Sequence, residues 1–386
     1  MKITDIQTVV VNARMRNWIF VKVLTDEGIV GWGEASLEWK TRGVVGCIED
    51  LKPFVIGLDP TRIEHLYQVM VRQPFFRAGV VGYSAMSGIE MACWDAFGKA
   101  ANMPVYKLMG GKVRDKIRMY DHLGGGSMDA VYNQATHDAM TEKALRSIAD
   151  GYTAIKVLIV PRTAPLDGHK VLDHAARLME SLRRACGDEI DIMVDLHGRT
   201  TPDMAIQYAK ALEPYRPFFL EEPCLPEYPD GIAKVSRGTS IPVATGERLA
   251  TRFEFRELLE KQACAVIQPD LCHCGGLWEA RKIAAMAETY YVSVAPHNPL
   301  GPIATAAAIQ FATCTPNWLI QESFRSDVPW RDEVVINPLR VAGGHIVPPE
   351  LPGLGVEVDE QQAAKHPFEQ EILARYWHED GSVADW

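Results

Sequence analysis

Six acidic or imidazole side chains recur along the second half of the chain, each at the end of a short apolar run. They are Asp195, Glu221, Glu247, Asp270, His297 and Glu322. Successive members are 26, 26, 23, 27 and 25 residues apart, which is the length of one strand followed by one helix. Parallel strands of a closed barrel all end at one face, so this spacing predicts that the six side chains meet at one mouth. His197 follows Asp195 by two residues and is expected to face the same mouth, because side chains alternate along a strand.

The elements that must position these side chains are strands alternating with helices. From about residue 116, apolar runs such as 153–160 and 191–197 predict strands, and amphipathic stretches such as 169–187 and 202–215 predict helices. So many consecutive strand–helix units favour right-handed parallel crossovers. We therefore predict an α/β fold, a (β/α)₇₋₈ TIM-like barrel rather than an open sheet.

The first part of the chain has a different pattern. Residues 3–10 predict a strand, and residues 19–34 predict two strands around the turn at residues 26–28. Residues 84–111 show helical spacing of apolar side chains, and Met109-Gly110-Gly111 is expected to end that helix. This antiparallel and helical region is expected to form an α+β unit beside the barrel.

Three of the recurring carboxylates could hold a metal ion. Asp195, Glu221 and Glu247 are expected on three neighbouring strands, and three carboxylates cannot all stay ionised close together without a cation. Carboxylate oxygens are hard ligands of the kind that Mg²⁺ prefers. One such residue alone is more often a helix cap or a solvated side chain, but three at equal spacing predict a magnesium site.

The remaining side chains could move protons. Asp270 and His297 end consecutive strands, and a carboxylate beside an imidazole raises its basicity, so His297 is a candidate general base. His197 could serve as an acid, and Glu322 among other carboxylates is expected to have a raised pKa and to donate a hydrogen bond. A metal and a base on one face suit abstraction of a proton beside a carboxylate.

Composition excludes several partners. The net charge of −10 disfavours nucleic acid and anionic membranes, and no run of about 20 apolar residues predicts a membrane span. The eight cysteines are scattered, which suits reduced thiols, and the N-terminus does not resemble a signal peptide, so a cytoplasmic location is expected. Cys272-His273-Cys274 lacks a second ligand pair and is not expected to bind zinc.

The sequence resembles the enolase superfamily, in its mandelate racemase subgroup, and within it most closely the D-galactonate dehydratases. The resemblance covers nearly the whole chain. It rests on the stretches DLHGR (195–199), LEPYRPFFLEEP (212–223), GERLATRFEF (246–255), IQPDLCHCGG (267–276), APHNPLGPIA (295–304), PGLGVEVDE (352–360) and WHEDGSVADW (377–386).

The resemblance implies a role for each site residue. Asp195, Glu221 and Glu247 would hold Mg²⁺, and His297 with Asp270 would remove the C2 proton of a sugar acid. His197 would protonate the departing 3-hydroxyl, and the product would be a 2-keto-3-deoxy sugar acid. Glu322 would hydrogen-bond the substrate carboxylate or the enediolate.

The resemblance also implies the domain organisation. Residues 1–115, completed by 350–386, would form a capping domain over a barrel of residues 116–349. A homo-oligomer is expected. Residues 13–20 and 35–43 of the capping domain are expected to carry specificity.

One departure from the subgroup bears on the reaction. Racemases of the subgroup carry Lys-x-Lys at the end of the second barrel strand, whereas this chain has Lys156-Val157-Leu158. Leucine cannot take a proton, which disfavours a two-base racemase. The galactonate dehydratases are expected to carry Asn at the position of Leu158, so the exact sugar acid stays open. The alternatives are a one-base epimerase or isomerase, a dehydratase of gluconate, mannonate or an aldarate, and a non-catalytic binding protein on the same fold.

Overall fold

The chain begins with a three-stranded antiparallel sheet in the order β1 (Ile3–Ala13), β2 (Arg16–Thr25) and β3 (Val30–Glu34). The computed structural model describes residues 1–124, 137–160, 163–324, 327–372 and 376–385. Three helices follow the sheet: α1 (Thr41–Val55), α2 (Ile63–Arg72) and α3 (Gly79–Ala100). Helix α3 is almost wholly buried and packs against β3, where glycine allows close contact: a Cβ on Gly31 would lie 1.9 Å from Ala92 O.

The predicted helix over 84–111 is wrong at both ends. Helix α3 begins at Gly79 and ends at Ala100, and a separate short helix, α4 (Val105–Leu108), follows it. Asn102 has a φ of 51°, in the left-handed region, and Pro104 precedes α4. Pro104 disfavours a helical conformation for the residue before it, so the helix cannot continue through this point.

Eight parallel strands form a barrel. They are β4 (Ile117–His122), β5 (Ala154–Leu158), β6 (Asp191–Asp195), β7 (Leu220–Glu221), β8 (Val243–Thr245), β9 (Val266–Ile267), β10 (Ser293–Val294) and β11 (Gln321–Ser323). The pairing order is β10-β9-β8-β7-β6-β5-β4-β11. A parallel bridge between Val294 and Trp318 joins the two ends of this order. The TIM-like barrel beside a capping unit is thereby confirmed.

The helices of the barrel lie between its strands along the chain. They are α5 (His137–Ala149), α6 (His169–Cys186), α7 (Pro202–Leu212), α8 (Pro229–Gly238), α9 (Arg252–Glu260), α10 (Leu277–Glu288) and α11 (Pro302–Cys314). Three of them begin with proline, which is favoured at the first helical position because its missing N–H has no partner there in any case. No helix among the described residues is long and apolar enough to cross a membrane.

The interior of the barrel is filled by one side chain from each of the eight strands or its adjoining residue. These are Tyr120, Ala154, Met193, Phe219, Ala244, Val266, Ala295 and Ile320. The barrel is therefore a packed core, with the larger side chains offset by alanines, and its polar chemistry lies at the strand ends above this layer.

The C-terminal segment returns to the N-terminal sheet. Strands β12 (Val335–Ile336) and β14 (Glu357–Val358) pair with each other, β13 (His345–Ile346) pairs with β4, and α12 (Glu360–Ala363) follows. Asn12 N donates to His366 O at 2.8 Å, and Asn17 Nδ2 donates to Glu371 Oε1 at 2.9 Å. These contacts support the proposal that residues 350–386 complete the capping domain of residues 1–115.

Candidate active site

All eight barrel strands bring a polar side chain to one mouth. In strand order the side chains are His122, Lys156, Asp195, Glu221, Glu247, Asp270, His297 and Glu322, with Glu247, Asp270 and His297 lying just beyond β8, β9 and β10. Six of them were predicted from the sequence. His122 and Lys156, at the ends of the first two barrel strands, complete the ring.

Lys156 is the cation at the centre of the acidic side. Its Nζ lies 2.5 Å from Glu221 Oε1, 2.9 Å from Glu322 Oε1 and 3.6 Å from Asp195 Oδ2. Burial opposes the charged form, but these carboxylates outweigh it and hold the pKa of Lys156 well above its ordinary value. The buried ammonium therefore offsets part of the negative charge of the mouth.

The three proposed metal ligands are buried carboxyl groups. Asp195 and Glu221 are paired in the register of β6 and β7, and Oε2 of Glu221 is buried without a hydrogen-bond donor among the described residues. Burial, with Asp195 and Glu247 nearby, raises the pKa of Glu221 well above its ordinary value although Lys156 opposes the shift. Burial also raises the pKa of Glu247 to about 7. Burial therefore disfavours the ionised forms of Glu221 and Glu247, and a divalent cation between these carboxyl groups would favour them.

A second group of possible ligands lies on the other side of the mouth. Within the described part of the chain, Asp270, His273 and His297 are the one group of His, Cys, Asp or Glu with ligand atoms all within 4.8 Å of one another. His273 Nε2 lies 3.0 Å from the backbone oxygen of Ser36, in the capping domain. The assignment of Asp195, Glu221 and Glu247 as ligands therefore stays a proposal, to be tested against this group.

Asp270 and His297 form a hydrogen-bonded pair. His297 Nδ1 lies 2.7 Å from Asp270 Oδ2, and Asp270 Oδ1 accepts the Cys272 backbone N–H at 2.7 Å. The carboxylate holds the proton on Nδ1, which leaves Nε2 directed into the mouth, 3.8 Å from Glu247 Oε2. Burial lowers the pKa of His297, but Glu247, Asp270 and Glu322 outweigh it and raise the pKa to about 10. Without a bound cation the imidazole is therefore protonated near pH 7. A cation that offsets the neighbouring carboxylates would free Nε2 to act as an oriented base.

Glu322 differs from the expectation. Its Oε2 accepts the Asn298 backbone N–H at 2.7 Å and its Oε1 faces Lys156. Burial favours the neutral acid, but Lys156, then His297 and His122, outweigh it and lower the pKa of Glu322 to about 2. The expectation of a raised pKa and a protonated donor is wrong, because the nearest charges are cations and not carboxylates. Glu322 is an ionised acceptor that contacts Lys156 and lies beside His297.

The position of His197 does not follow from strand alternation. Strand β6 ends at Asp195, and His197 lies in a turn with a φ of 57°, so the alternation argument is wrong. The turn is held by Asp195 Oδ1, which accepts the His197 N–H at 2.7 Å, and by Arg248, which donates to His197 O at 2.8 Å. Burial, then Arg199 and Arg248, holds the pKa of His197 well below its ordinary value. A neutral imidazole still carries one N–H that can donate to a hydroxyl.

The residues that sequence reasoning missed had a visible signal. Lys156 and His122 each stand at or near the end of an apolar strand, in AIKVL (154–158) and IRMYDH (117–122). The sequence pattern presents Lys156 as one half of a two-lysine motif, and the strand that ends at His122 is not predicted from it. His122 and Lys156 are 34 residues apart, and Lys156 and Asp195 are 39 residues apart. Both intervals are longer than the 23–27 residues between the other members of the series, so the regular spacing does not reveal them.

A closed barrel with charged side chains at its mouth, beside an antiparallel capping unit, defines the class of this protein. Residues 2–110 match the N-terminal domain of the mandelate racemase/muconate lactonizing enzymes, and residues 139–362 match the enolase C-terminal domain-like model. The chain belongs to the mandelate racemase/muconate lactonizing enzyme family of the enolase superfamily.

Relatives are similar over their full lengths. The chain is 41% identical to a D-galactonate dehydratase of Cronobacter sakazakii and 39% identical to one of Ralstonia pickettii, with all of each chain covered. Among solved structures, it is similar to a mandelate racemase/muconate lactonizing enzyme from Sulfitobacter sp., at 38% identity and a TM-score of 0.88, with 96% of each chain covered. A mandelate racemase/muconate lactonizing enzyme-like protein from Roseovarius sp. gives 36% identity and a TM-score of 0.88, with 96% of this chain and 97% of that chain covered.

Proposed function

We propose that this chain is a Mg²⁺-dependent dehydratase of a sugar acid, with a D-galactonate-like aldonate as substrate and a 2-keto-3-deoxy sugar acid as product. The observation that carries the proposal is the arrangement of the mouth. A set of buried carboxyl groups lies there beside His297, whose Nδ1 is 2.7 Å from Asp270 Oδ2. The relatives named D-galactonate dehydratase support the same class of reaction.

The proposed proton transfers follow from the positions of the two histidines. His297 Nε2 takes the proton from C2 of the substrate, while its Nδ1–H stays hydrogen-bonded to Asp270. The C–O bond at C3 then breaks, and the hydroxyl leaves as water with a proton from His197. The acid in this step is the imidazolium form, so His197 must take up a proton when the anionic substrate is bound. The resulting enol tautomerises to the 2-keto acid.

The charge that develops on the substrate needs fixed positive groups. Mg²⁺ held by Asp195, Glu221 and Glu247 would stabilise the negative charge on the substrate carboxylate. Lys156, already held by Glu221 and Glu322, adds a buried ammonium to the same side of the mouth. Leu158 is buried and lies in register with Asp195, so no second base stands at that position.

A panel of sugar acids tests the proposal. Purified enzyme with Mg²⁺ would be incubated with galactonate, gluconate, mannonate and aldarates, and 2-keto acid formation would be followed. We expect turnover of at least one aldonate and none by His297→Asn. Isomerised acid without any 2-keto acid would favour the one-base epimerase, and binding without reaction would favour a non-catalytic protein. Either result contradicts the dehydratase.

A further inference from the structure

His122 occupies a place in the ring that the proposed reaction does not use. It is the last residue of β4 and pairs in register with Lys156 of β5. Its ring centroid lies 4.9 Å from that of Phe324, and its Nδ1 lies 3.9 Å from Glu322 Oε1. The side chain is therefore placed between the general-base side of the mouth and Lys156.

The hydrogen-bonding capacity of this imidazole is unused. Both ring nitrogens are buried, and neither has a hydrogen-bond partner among the described residues. The 3.9 Å separation from Glu322 is too long for a hydrogen bond. Buried polar atoms in folded proteins are nearly always paired, so an imidazole with both nitrogens unpaired by the described residues has the capacity to bind a further partner.

The described side chains that adjoin His122 do not supply this partner. A Cβ built on Gly124 would lie 3.2 Å from Leu158 Cδ1 and 3.4 Å from His122 Nε2. On this side His122 therefore adjoins a glycine and an aliphatic side chain, and neither has a polar side-chain atom. On the other side, His122 contacts the Phe324 ring, and the Arg16 guanidinium lies over the same ring, 5.0 Å from its centroid. Among the described residues, His122 is therefore lined by apolar groups on these sides, and it stands at the mouth with the other strand-end side chains.

The electrostatics of the site exclude a role for His122 as a replacement base. Burial, then the charge of Lys156, lowers its pKa to about 3 although Glu322 opposes the shift. The imidazole is therefore neutral near pH 7 and is a very weak base. A neutral imidazole offers one N–H donor and one lone-pair acceptor, which is the complement of a hydroxyl group.

We propose that His122 binds a hydroxyl group of the sugar acid that is not lost in the reaction, and that this contact helps to determine which acid is accepted. This inference rests on the proposed function and deepens it by defining a feature of the substrate. The substrate class is a polyhydroxy acid with a hydroxyl beyond the reacting carbons C2 and C3, presented on the side of the mouth formed by β4 and β5. A site built to pair with a hydroxyl rejects an analogue that lacks it, because the buried imidazole is then left without a partner.

Two substitutions at this position distinguish recognition from packing. His122→Phe keeps a ring against Phe324 but removes both polar atoms, and His122→Asn keeps a donor and an acceptor. His169→Phe serves as the matched control, because His169 is exposed at the start of α6. Thermal unfolding of each variant establishes that it folds. If His122→Phe does not fold, His122→Asn is used for the test.

The experiment compares the best sugar acid of the panel with analogues that each lack one hydroxyl at C4, C5 or C6. We expect His122→Phe to lower kcat/KM for the full substrate by at least about tenfold and to leave one deoxy analogue unaffected, since the analogue has already lost the contact. His122→Asn should recover part of the loss, and His169→Phe should change nothing. An equal loss with every analogue would show a packing role, and an unchanged kcat/KM would show no contact; either result overturns the inference.

The proposed function and this inference fail in different ways. If the wild-type enzyme forms no 2-keto acid, the dehydratase is contradicted, and calorimetric binding of the same acids to wild type and His122→Phe still tests the contact. If the wild type turns over an acid, and the His122 variants discriminate between the full substrate and its deoxy analogues to the same extent as the wild type, only the inference is contradicted. If no acid of the panel binds or reacts, both are contradicted.

Discussion

His297 owes its proposed role to two contacts that no side chain elsewhere among the described residues duplicates. Its Nδ1 is paired with Asp270 at 2.7 Å, and its Nε2 faces Glu247. We predict that His297→Asn abolishes exchange of the C2 proton of the substrate in deuterated water, with a loss of at least about 10²–10⁴-fold. Asparagine cannot accept the proton, and Leu158 provides no base elsewhere.

Solvent deuterium uptake, measured by NMR on the substrate that the panel identifies, checks this prediction. His169→Asn, on the protein surface, is the control for introducing asparagine. Normal exchange by His297→Asn would show that another residue is the base.

His197 belongs to the second half of the reaction, so its loss should separate two activities. We predict that His197→Asn forms no 2-keto acid but retains C2 exchange, because the enediolate can form and return without loss of the hydroxyl. Both products are followed on one substrate in deuterated water. Dehydration at the native rate would remove His197 from the mechanism, and equal loss of both activities would contradict its assignment to the second step.

The site could be predicted from the sequence as far as residue type and strand position determine it. The six regularly spaced residues do reach one mouth, since closure of a parallel barrel brings strand ends together whatever their side chains do. The charge state of Glu322 could not be predicted, because it depends on the Lys156 side chain, which reaches from another strand to place its Nζ 2.9 Å from Glu322 Oε1. Turn conformation at His197 was likewise not visible in the sequence pattern.

The capping unit and the barrel are joined by buried carboxyl groups at the starts of helices. Glu34 at the end of β3 accepts the N–H groups of Gly301 and Ala304, at the start of α11, at 2.7 and 2.8 Å. Glu90 on α3 accepts those of Leu277 and Trp278, at the start of α10, at 2.8 and 2.9 Å. The unpaired amides of a helix N-terminus are thus satisfied from the other unit, which fixes the cap over the mouth.

Glu90 should make the stability of the protein depend on pH. Burial raises its pKa to about 8, although the N–H groups of Trp278, Leu277 and Trp94 oppose the shift. In the unfolded chain an ordinary glutamate loses its proton near pH 4.3, so between about pH 4.5 and 8 the folded state binds more protons. The free energy of unfolding therefore falls as pH rises, by up to about 1.4 kcal/mol per pH unit from this group.

We predict that Glu90→Gln makes this fall shallower between pH 5 and 8, because glutamine does not titrate. Urea unfolding at several pH values measures the slope for wild type, for Glu90→Gln and for the exposed control Glu189→Gln. Parallel slopes for wild type and Glu90→Gln would show that the carboxyl does not retain its proton in the folded state.

Element boundaries were predictable where one strong signal stood alone. Helix α6 was expected over 169–187 and spans His169–Cys186, because its apolar face is regular and Gly187 follows it. Helix α3 was misplaced because its burial on nearly all sides removes the periodic polar face that marks an end. The barrel strands are shorter than the apolar runs that contain them, since the loops around the mouth are themselves buried.

At the scale of the whole molecule, the negative charge at the mouth links metal binding to stability. Several carboxylates converge there, and Lys156 is the one ammonium among the described residues that contacts them within 4 Å. A ligand that binds only the folded state stabilises it by about 2.7 kcal/mol at a concentration 100 times its dissociation constant. For a chain of this size, that corresponds to a rise in Tm of a few degrees.

We predict that chelation abolishes activity and lowers Tm, that Mg²⁺ restores both, and that Asp195→Asn loses the Mg²⁺-dependent rise in Tm. Asp191→Asn is the matched control, because Asp191 begins the same strand at the opposite end of the barrel and pairs there with Arg118 at 2.8 Å. Its Tm should still rise with Mg²⁺, even if its baseline is lower.

Full activity after exhaustive chelation would contradict a metal requirement. Loss of the Mg²⁺ effect in His273→Asn, with the effect retained in Asp195→Asn, would move the metal to the group formed by Asp270, His273 and His297. Because Tm is read without turnover, the outcome locates the ion even if the sugar acid is misassigned.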